Sequence, residues 1–475
     1  MNRPAPLTVL IIAYWFPPLG GGGVPRAQKL VKYLPRYGIR PVVLTVSPPD
    51  YLPLDEGRFS DVPGHVPVYR VPHPRWHLAL RSRLQSGRER GPKEADRAKE
   101  GGSSSASARA LRNAAIALRS AFFIPEEEIV WYRGAVKAGL EAVRAHRVDL
   151  LFSTSGPVTD HLVARALQRR THLPWVADFR DPWTQNMHFT TIPWRAALET
   201  AMERAVFRSA THITTVTEAF RRGFLALYPE AAIDVIYNGF DPEDVQYVRH
   251  LRESRPPDSD GVLTFAHTGI LYEKRHPRAF FQALRALMDE GAIDARSLKL
   301  EFAGMFDPPG RDDNRRMIRT LGLETAFVDH GHLPYFEALS LLARATVLLI
   351  VGDLHPRAGD YIPGKLYDYM MVGRPIFALL RPGEAADIIR SLPHAYTAPP
   401  DDEALIRAEL RRLIADWRRG AFPEALDVLG EAAFVRYRRD VQAEQFAELF
   451  HRLVKGDRPS GVYTASGVGD RKLQD

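Results

Sequence analysis

Two carboxylates eight positions apart, Asp360 and Asp368, bracket a Pro363-Gly364 turn in the run DYIPGKLYDYMMVGRP. A carboxylate accepts hydrogen bonds from neighbouring hydroxyls, so Asp368, at the opening of the helix that follows the turn, suits the grip of a ribose. The turn brings backbone N–H groups to that helix's N-terminus, where the orphan donors and the helix dipole favour a diphosphate. Asp360 then lies toward a sugar at the far end. The chemistry these groups suit is capture of a nucleoside diphosphate that carries a sugar.

Other segments offer complementary groups. The first apolar run passes into PPLGGGGVPRAQKL. Glycines there, Gly21, Gly22 and Gly23 among them, let the backbone approach a charged or bulky ligand closely. The spacing is not that of a dinucleotide fingerprint, and no carboxylate ends the second apolar run, which disfavours a dehydrogenase. In HTGILYEKRHPRAF, Gly269 precedes Lys274 and Arg275, which can neutralise a pyrophosphate as point charge and fork. Gly331 and His332 are candidate neighbours of a base or ribose. In FSTSGPVTDHL, His161 could orient or deprotonate an acceptor hydroxyl, or be a helix-surface histidine. In WVADFRDPW, Asp178, Arg180 and Asp181 follow an apolar strand, and either bind a polar acceptor or form a structural ion network.

These segments must be held at the ends of strands. Apolar runs at 8–14, 41–46, 150–153, 175–178 and 212–216 read as strands in the first half, and 263–267, 299–303, 326–329, 346–351 and 375–379 in the second. Helical periodicity lies between them, at 24–37, where Gly38 closes the helix, and at 277–290, 311–321, 335–343 and 366–372. The expected fold is α/β, two Rossmann-like domains with parallel sheets facing an interdomain cleft. The boundary is expected in 241–260, where charged residues and Pro256-Pro257 follow Asn238-Gly239. This gives an N-terminal acceptor domain over 1–245, a donor domain over 246–430, a returning helix over 431–455 and a flexible tail over 456–475.

Composition narrows the class. The chain has 475 residues, 45% of them hydrophobic, enough for two cores, and no cysteine, which makes a reducing cytoplasm the default. The run LTVLIIAYWF is read as a buried first strand, because Pro17-Pro18 and glycines follow it where a signal peptide would have a cleavage site. No stretch reaches the roughly 18 apolar residues of a membrane span, so any membrane contact is expected to be peripheral. Of the net charge of +7, residues 70–120 contribute twelve Arg and Lys against four acids. That insertion, about 75–120, reads as a mobile solvated loop or as a patch for anionic lipid or a phosphate-bearing acceptor. It lacks the interleaved aromatics of a nucleic-acid binder over 83–107.

Taken in order, the Gly-rich loop, HTGILYEKRHPRAF, VDHGHLPYFEALSLLARATVLLI and DYIPGKLYDYMMVGRP resemble glycosyltransferase family four, from Val9 to about Phe450. VADFRDPW is similar to a segment of members that build bacterial surface polysaccharides. The resemblance implies a GT-B fold with a C-terminal helix crossing back, a nucleotide-sugar donor, expected to be a UDP-sugar, and retention of anomeric configuration. It implies a hexosyl- or N-acetylhexosaminyl-transferase that needs no metal or other cofactor, since cations and helix N-termini stabilise the leaving diphosphate.

By the same resemblance, Asp368 holds the ribose, Asp360 the donor sugar, and Lys274 and Arg275 the charge. Gly21–Gly23, Gly269 and the turn through Ile362, Pro363, Gly364, Lys365 and Leu366 hold the diphosphate. The acceptor is a saccharide or lipid-linked saccharide, at the inner face of the plasma membrane. Two departures stand out: Asp replaces Glu at both 360 and 368, and Ile270 follows Gly269 where many members have Arg. The alternatives are a non-catalytic GT-B scaffold subunit and a nucleotide-sugar 2-epimerase.

Overall fold

The computed structural model of the chain describes residues 6–48, 61–73, 123–189, 191–254, 261–422, 428–429 and 432–456. The expected insertion at 75–120 and the tail after 456 lie outside the described residues. Two compact units result, one of residues 1–214, 228–234 and 449–475, the other of 215–227 and 235–448.

In chain order, the first half runs β1 (Leu7–Ile12), α1 (Val24–Tyr33), β2 (Ile39–Val46), β3 (Val68–Val71), α2 (Tyr132–His146), β4 (Leu150–Thr154), α3 (Thr159–Thr171), β5 (Trp175–Phe179), α4 (Pro193–Ser209), β6 (His212–Thr215), α5 (Glu218–Leu227) and β7 (Ile233–Val235). The strands form one sheet in the order β3-β2-β1-β4-β5-β6-β7. β1 pairs in parallel with β2 and with β4, Leu10 lying opposite both Val42 and Leu151. Every residue of β1, β4 and β5 is buried, as expected of a parallel sheet covered on both faces. Helix α1 was expected to run to Tyr37. It stops at Tyr33, and a 3-10 turn over Leu34–Tyr37 ends at Gly38 with φ +73. Pro35 lacks the N–H that an α-helix needs there.

The second half runs α6 (Pro242–Ser254), β8 (Leu263–Ile270), α7 (Arg278–Asp289), β9 (Leu298–Met305), α8 (Asp313–Thr320), β10 (Phe327–Asp329), α9 (Tyr335–Arg344), β11 (Val347–Val351), α10 (Lys365–Val372), β12 (Ile376–Leu379), α11 (Glu384–Arg390), β13 (Ala395–Ala398), α12 (Glu403–Arg418) and α13 (Arg439–Val454). Its sheet has the order β10-β9-β8-β11-β12-β13. Alternate residues feed opposite faces: Leu348, Ile350, Ile376 and Ala378 one cluster, Val347, Leu349, Phe377 and Leu379 the other. A strand covered on both faces therefore carries large apolar residues at successive positions, each serving the face opposite to the last.

The stretch 241–260, expected to hold the domain boundary, is helical over Pro242–Ser254. Val245 and Val248 are buried in the core of the second unit, and Glu243 and Asp244 sit in the helix's first turn, where acids are favoured. The sequence showed the charges on the outer face and hid the apolar stripe beneath them. At the other end, α13 runs into the first unit: the Phe450 ring packs on Phe152 with centroids 5.6 Å apart, and His451 Nε2 lies 3.2 Å from the Tyr37 carbonyl. No helix among the described residues is long and apolar enough to cross a membrane.

Candidate functional site

In the second unit the strand order reverses between β8 and β11, and ligands of such sheets bind beyond the carboxyl ends of the strands at that point. β8 ends in His267-Thr268-Gly269-Ile270. His267 Nδ1 lies 2.8 Å from the Leu349 carbonyl, which fixes the tautomer: Nδ1 carries the proton and Nε2 is left as an acceptor. Lys365, the first residue of α10, places Nζ 3.2 Å from that Nε2.

Gly269 stands at φ +127, and a Cβ on it would come within 2.8 Å of the same Nζ. Burial first, then the Arg275 guanidinium, pushes the Lys365 ammonium down to about 7, while Asp368 acts in the opposite sense. An amine held among cations, at the N-terminus of a helix whose Gly364 is exposed, is short of negative charge.

The remaining predicted residues of this unit divide around that centre. Arg275 is half-buried with its guanidinium 5.0 Å above the Tyr272 ring, and Tyr272 donates to Asp353 at 2.6 Å. Lys274 is exposed, and its backbone carbonyl accepts from Leu354 N–H at 2.7 Å. Of the basic pair, it is Arg275 that the fold brings to Lys365. Asp368, on the first turn of α10, lies 3.5 Å from the Tyr335 hydroxyl, which is 3.2 Å from Asp244. Asp360 ends a 3-10 turn, with its carboxylate 3.2 Å from Arg357 Nε and its carbonyl accepting from Thr217 Oγ1 at 3.2 Å. Ile362 packs on the core, Pro363 is half-buried and Leu366 is fully buried, so these residues shape the turn by packing. His332 is exposed, and Gly331 accepts through its carbonyl from Gly304 N–H at 2.6 Å.

In the first unit the order reverses between β1 and β4. Asp178, at the end of β5, makes a fork with Arg26 of α1, both bonds 2.7 Å long, and accepts from Thr154 at 2.7 Å and Thr214 at 2.8 Å. Four charge-assisted bonds hold its carboxyl below the usual range against the opposing effect of burial, which is the largest. Arg180 is tied to the backbone carbonyls of Ser155, Gly23 and Gly156. Asp181 is exposed. Gly21 and Gly22 are exposed with φ +110 at Gly21, and Gly23 abuts Trp15.

Two expectations are corrected here. His161 is not on a helix surface facing an acceptor: it is fully buried, its Nδ1 lies 2.8 Å from Ser153 Oγ, and its Nε2 has no hydrogen-bond partner. Burial pushes its imidazolium down to about 3. Asp178 likewise reaches no surface, being satisfied entirely by Arg26 and two threonines. Both follow from side chains on buried strands and helix faces, which points them into the sheet's packing. His267, Tyr272 and Tyr335 were not read from the sequence as part of the site. His267 alone carried a signal, a histidine two residues before a glycine at a strand's carboxyl end. Among the described residues no group of three or more His, Cys, Asp or Glu could hold a metal ion.

Residues 21–239 match the glycosyl transferase 4-like domain. No curated protein matches the chain. Among solved structures, the sucrose-phosphate synthase from Thermosynechococcus elongatus superposes with a TM-score of 0.61 at 13% identity, over 95% of this chain and 100% of that one. A UDP-forming alpha,alpha-trehalose-phosphate synthase from Burkholderia xenovorans, in complex with glucose-6-phosphate, gives 0.59 at 13% identity over 94% and 100%. The lipopolysaccharide outer core galactosyltransferase WaaB gives 0.52 at 13% identity over 95% and 99%. Residues 21–239 thus carry a glycosyl transferase 4-like domain, and the chain as a whole has the two-domain GT-B fold of these glycosyltransferases.

Proposed function

We propose that the chain transfers a hexosyl or N-acetylhexosaminyl group, with retention, from a UDP-sugar to a saccharide or lipid-linked saccharide in bacterial surface glycan synthesis. The observation that carries this reading is the Lys365 amine at the head of α10, beside Arg275 and Gly269 and short of a counter-anion. A diphosphate supplies that charge. Arg275 and Lys365 take its oxygens, the Pro363-Gly364 turn offers backbone N–H groups, Asp368 takes the ribose hydroxyls and Asp360 the sugar. Asp181, exposed beside the anchored Arg180, is the acceptor group that the first unit best supports.

In the reaction the anomeric bond to the phosphate oxygen breaks and a bond to the acceptor hydroxyl oxygen forms. The hydroxyl proton leaves to the departing diphosphate. Cations fixed around that oxygen stabilise its developing charge without reorganising, which is where such sites lower a barrier most. One structural neighbour is a UDP-forming synthase and another a lipopolysaccharide galactosyltransferase, in keeping with this donor and acceptor class.

Thermal melting with UDP, GDP and ADP tests the reading, since a ligand bound to the folded state alone raises the apparent stability. A shift with UDP that is lost in Asp368→Ala, followed by acceptor-dependent release of UDP from a UDP-sugar, is the expected result. Acceptor-free isomerisation of the sugar would instead identify an epimerase, and absence of any shift a scaffold subunit.

A further inference from the structure

Helix α4 carries both of its acids on its inner side. Glu199 accepts from Trp183 Nε1 at 2.8 Å and from Arg195 Nε at 2.5 Å, and Glu203 from Thr184 N–H at 2.7 Å and the Tyr228 hydroxyl at 2.9 Å. The outer side has the reverse character. Ile192, just before the helix, is 43% exposed, Trp194 51% and Leu198 43%. Ala197, Ala201, Arg204 and Arg208 complete the same exposed stripe at helical spacing. The outward face is therefore apolar over its first turns, basic over its last, and free of carboxylates. A helix already packed through Val206 and Phe207 has no fold-related need for a second apolar face.

We propose that this outward face of α4 docks on an anionic lipid bilayer, with Ile192, Trp194 and Leu198 entering the headgroup boundary and Arg204 and Arg208 lying against its charge. Tryptophan and leucine beside arginine is the composition that lies in a membrane interface, the aromatic ring at headgroup depth and the guanidinium on the lipid phosphates. A second copy of the chain fits less well, because neither face would bring a carboxylate to the other's arginines. The segment 74–122 fits less well for the same reason, since it too is rich in Arg and Lys.

Through Trp183 and Thr184, α4 holds the segment that follows Arg180 and Asp181. A docked bilayer would thus lie about one helix diameter, ~10 Å, from the proposed acceptor group. The docking does not depend on the transfer reading; only its use in presenting a lipid-linked acceptor does.

Flotation of the full chain with vesicles, without donor or acceptor, tests the docking apart from the chemistry. Wild type should float with phosphatidylglycerol-rich vesicles and far less with pure phosphatidylcholine. The double variant Trp194→Asp/Leu198→Asp should lose on the order of a hundredfold in partition, and Arg204→Gln and Arg208→Gln about fivefold each, with unchanged melting temperatures. With bromine-labelled lipids, quenching of tryptophan fluorescence should drop in Trp194→Phe, a substitution mild enough to leave the fold intact.

Failure of wild type to float, a double variant that floats as well as wild type, or quenching that survives Trp194→Phe in full would overturn the proposal. So would a wild-type dimer that the double variant dissolves. A protein that floats as predicted yet turns over no sugar would leave the docking standing and sink the transfer reading.

Discussion

Lys365 Nζ lies 3.2 Å from His267 Nε2, and the proton on His267 Nδ1 is committed to the Leu349 carbonyl, so the imidazole can only accept from the lysine. His267 cannot share the positive charge: burial and Lys365 itself hold its imidazolium well below the ordinary value. Arg275 adds a second cation and Asp368 the one opposing carboxylate.

With its ammonium lowered from 10.5 to about 7, Lys365 is largely neutral in the unliganded protein at mildly alkaline pH. A bound diphosphate favours the charged form, so binding takes up a proton. Affinity for UDP should then fall by up to roughly tenfold per pH unit above about pH 7. Lys365→Arg should flatten that slope, and Lys365→Met should weaken binding roughly tenfold to a hundredfold at neutral pH. Calorimetry in buffers of different ionisation enthalpy reads the proton directly; a heat independent of buffer above pH 7 would contradict the coupling.

Gly269 and Gly304 face one another at the ends of β8 and β9, at φ +127 and φ +114. An alanine at 269 meets the movable end of Lys365, whereas one at 304 meets the Gly269 carbonyl. Gly269→Ala should cost on the order of 1–3 kcal/mol of stability and displace the lysine, weakening UDP. Gly304→Ala should be the more destabilising, because backbone cannot step aside. Urea denaturation of the two variants ranks them, and the opposite order would refute the account.

The Arg26–Asp178 fork is enclosed by protein. Asp178→Ala removes the carboxylate fork from a buried guanidinium and should lower stability by about 3–5 kcal/mol, while Arg26→Met/Asp178→Leu should recover much of it. Equilibrium unfolding measures both. A variant Asp178→Ala of normal stability but raised acceptor KM would restore the binding role that the sequence suggested.

His161, lowered to about 3 by burial, is neutral in the fold, while the unfolded chain takes up its proton near 6.5. Below that pH the unfolded state binds more protons, so stability is lost as pH falls. Relative to His161→Gln, wild type should lose about 1.4 kcal/mol per pH unit below about pH 6.5, until pH 3 is approached. Parallel stability curves for the two proteins would mean that the imidazole titrates freely.

The strands of both sheets were legible because a doubly covered parallel strand is an unbroken apolar run, as in LTVLII and VLLIV. Three strands escaped: β3, β7 and β13 are three or four residues long and only partly buried. Helix α6 escaped because Val245 and Val248 are outnumbered by charges. At the site, the Asp368 and Gly364 spacing pointed to the head of α10. The partner of Lys365 did not, since His267 comes from 98 positions away and its tautomer depends on a carbonyl of the neighbouring strand β11. His161 and Asp178 misled because burial on a strand or helix face is decided by what packs over it, which local sequence does not state.

Neither unit is one continuous stretch of chain: residues 215–227 belong with the second, and 228–234 and 449–475 with the first. A fragment ending at 234 would lack the Phe450 and His451 that cover Phe152 and Tyr37. Exchange of halves between related enzymes by a single crossover would separate each strand-bearing half from a piece it needs. Hybrid proteins of this type should fold only when both ends of the coding sequence travel together.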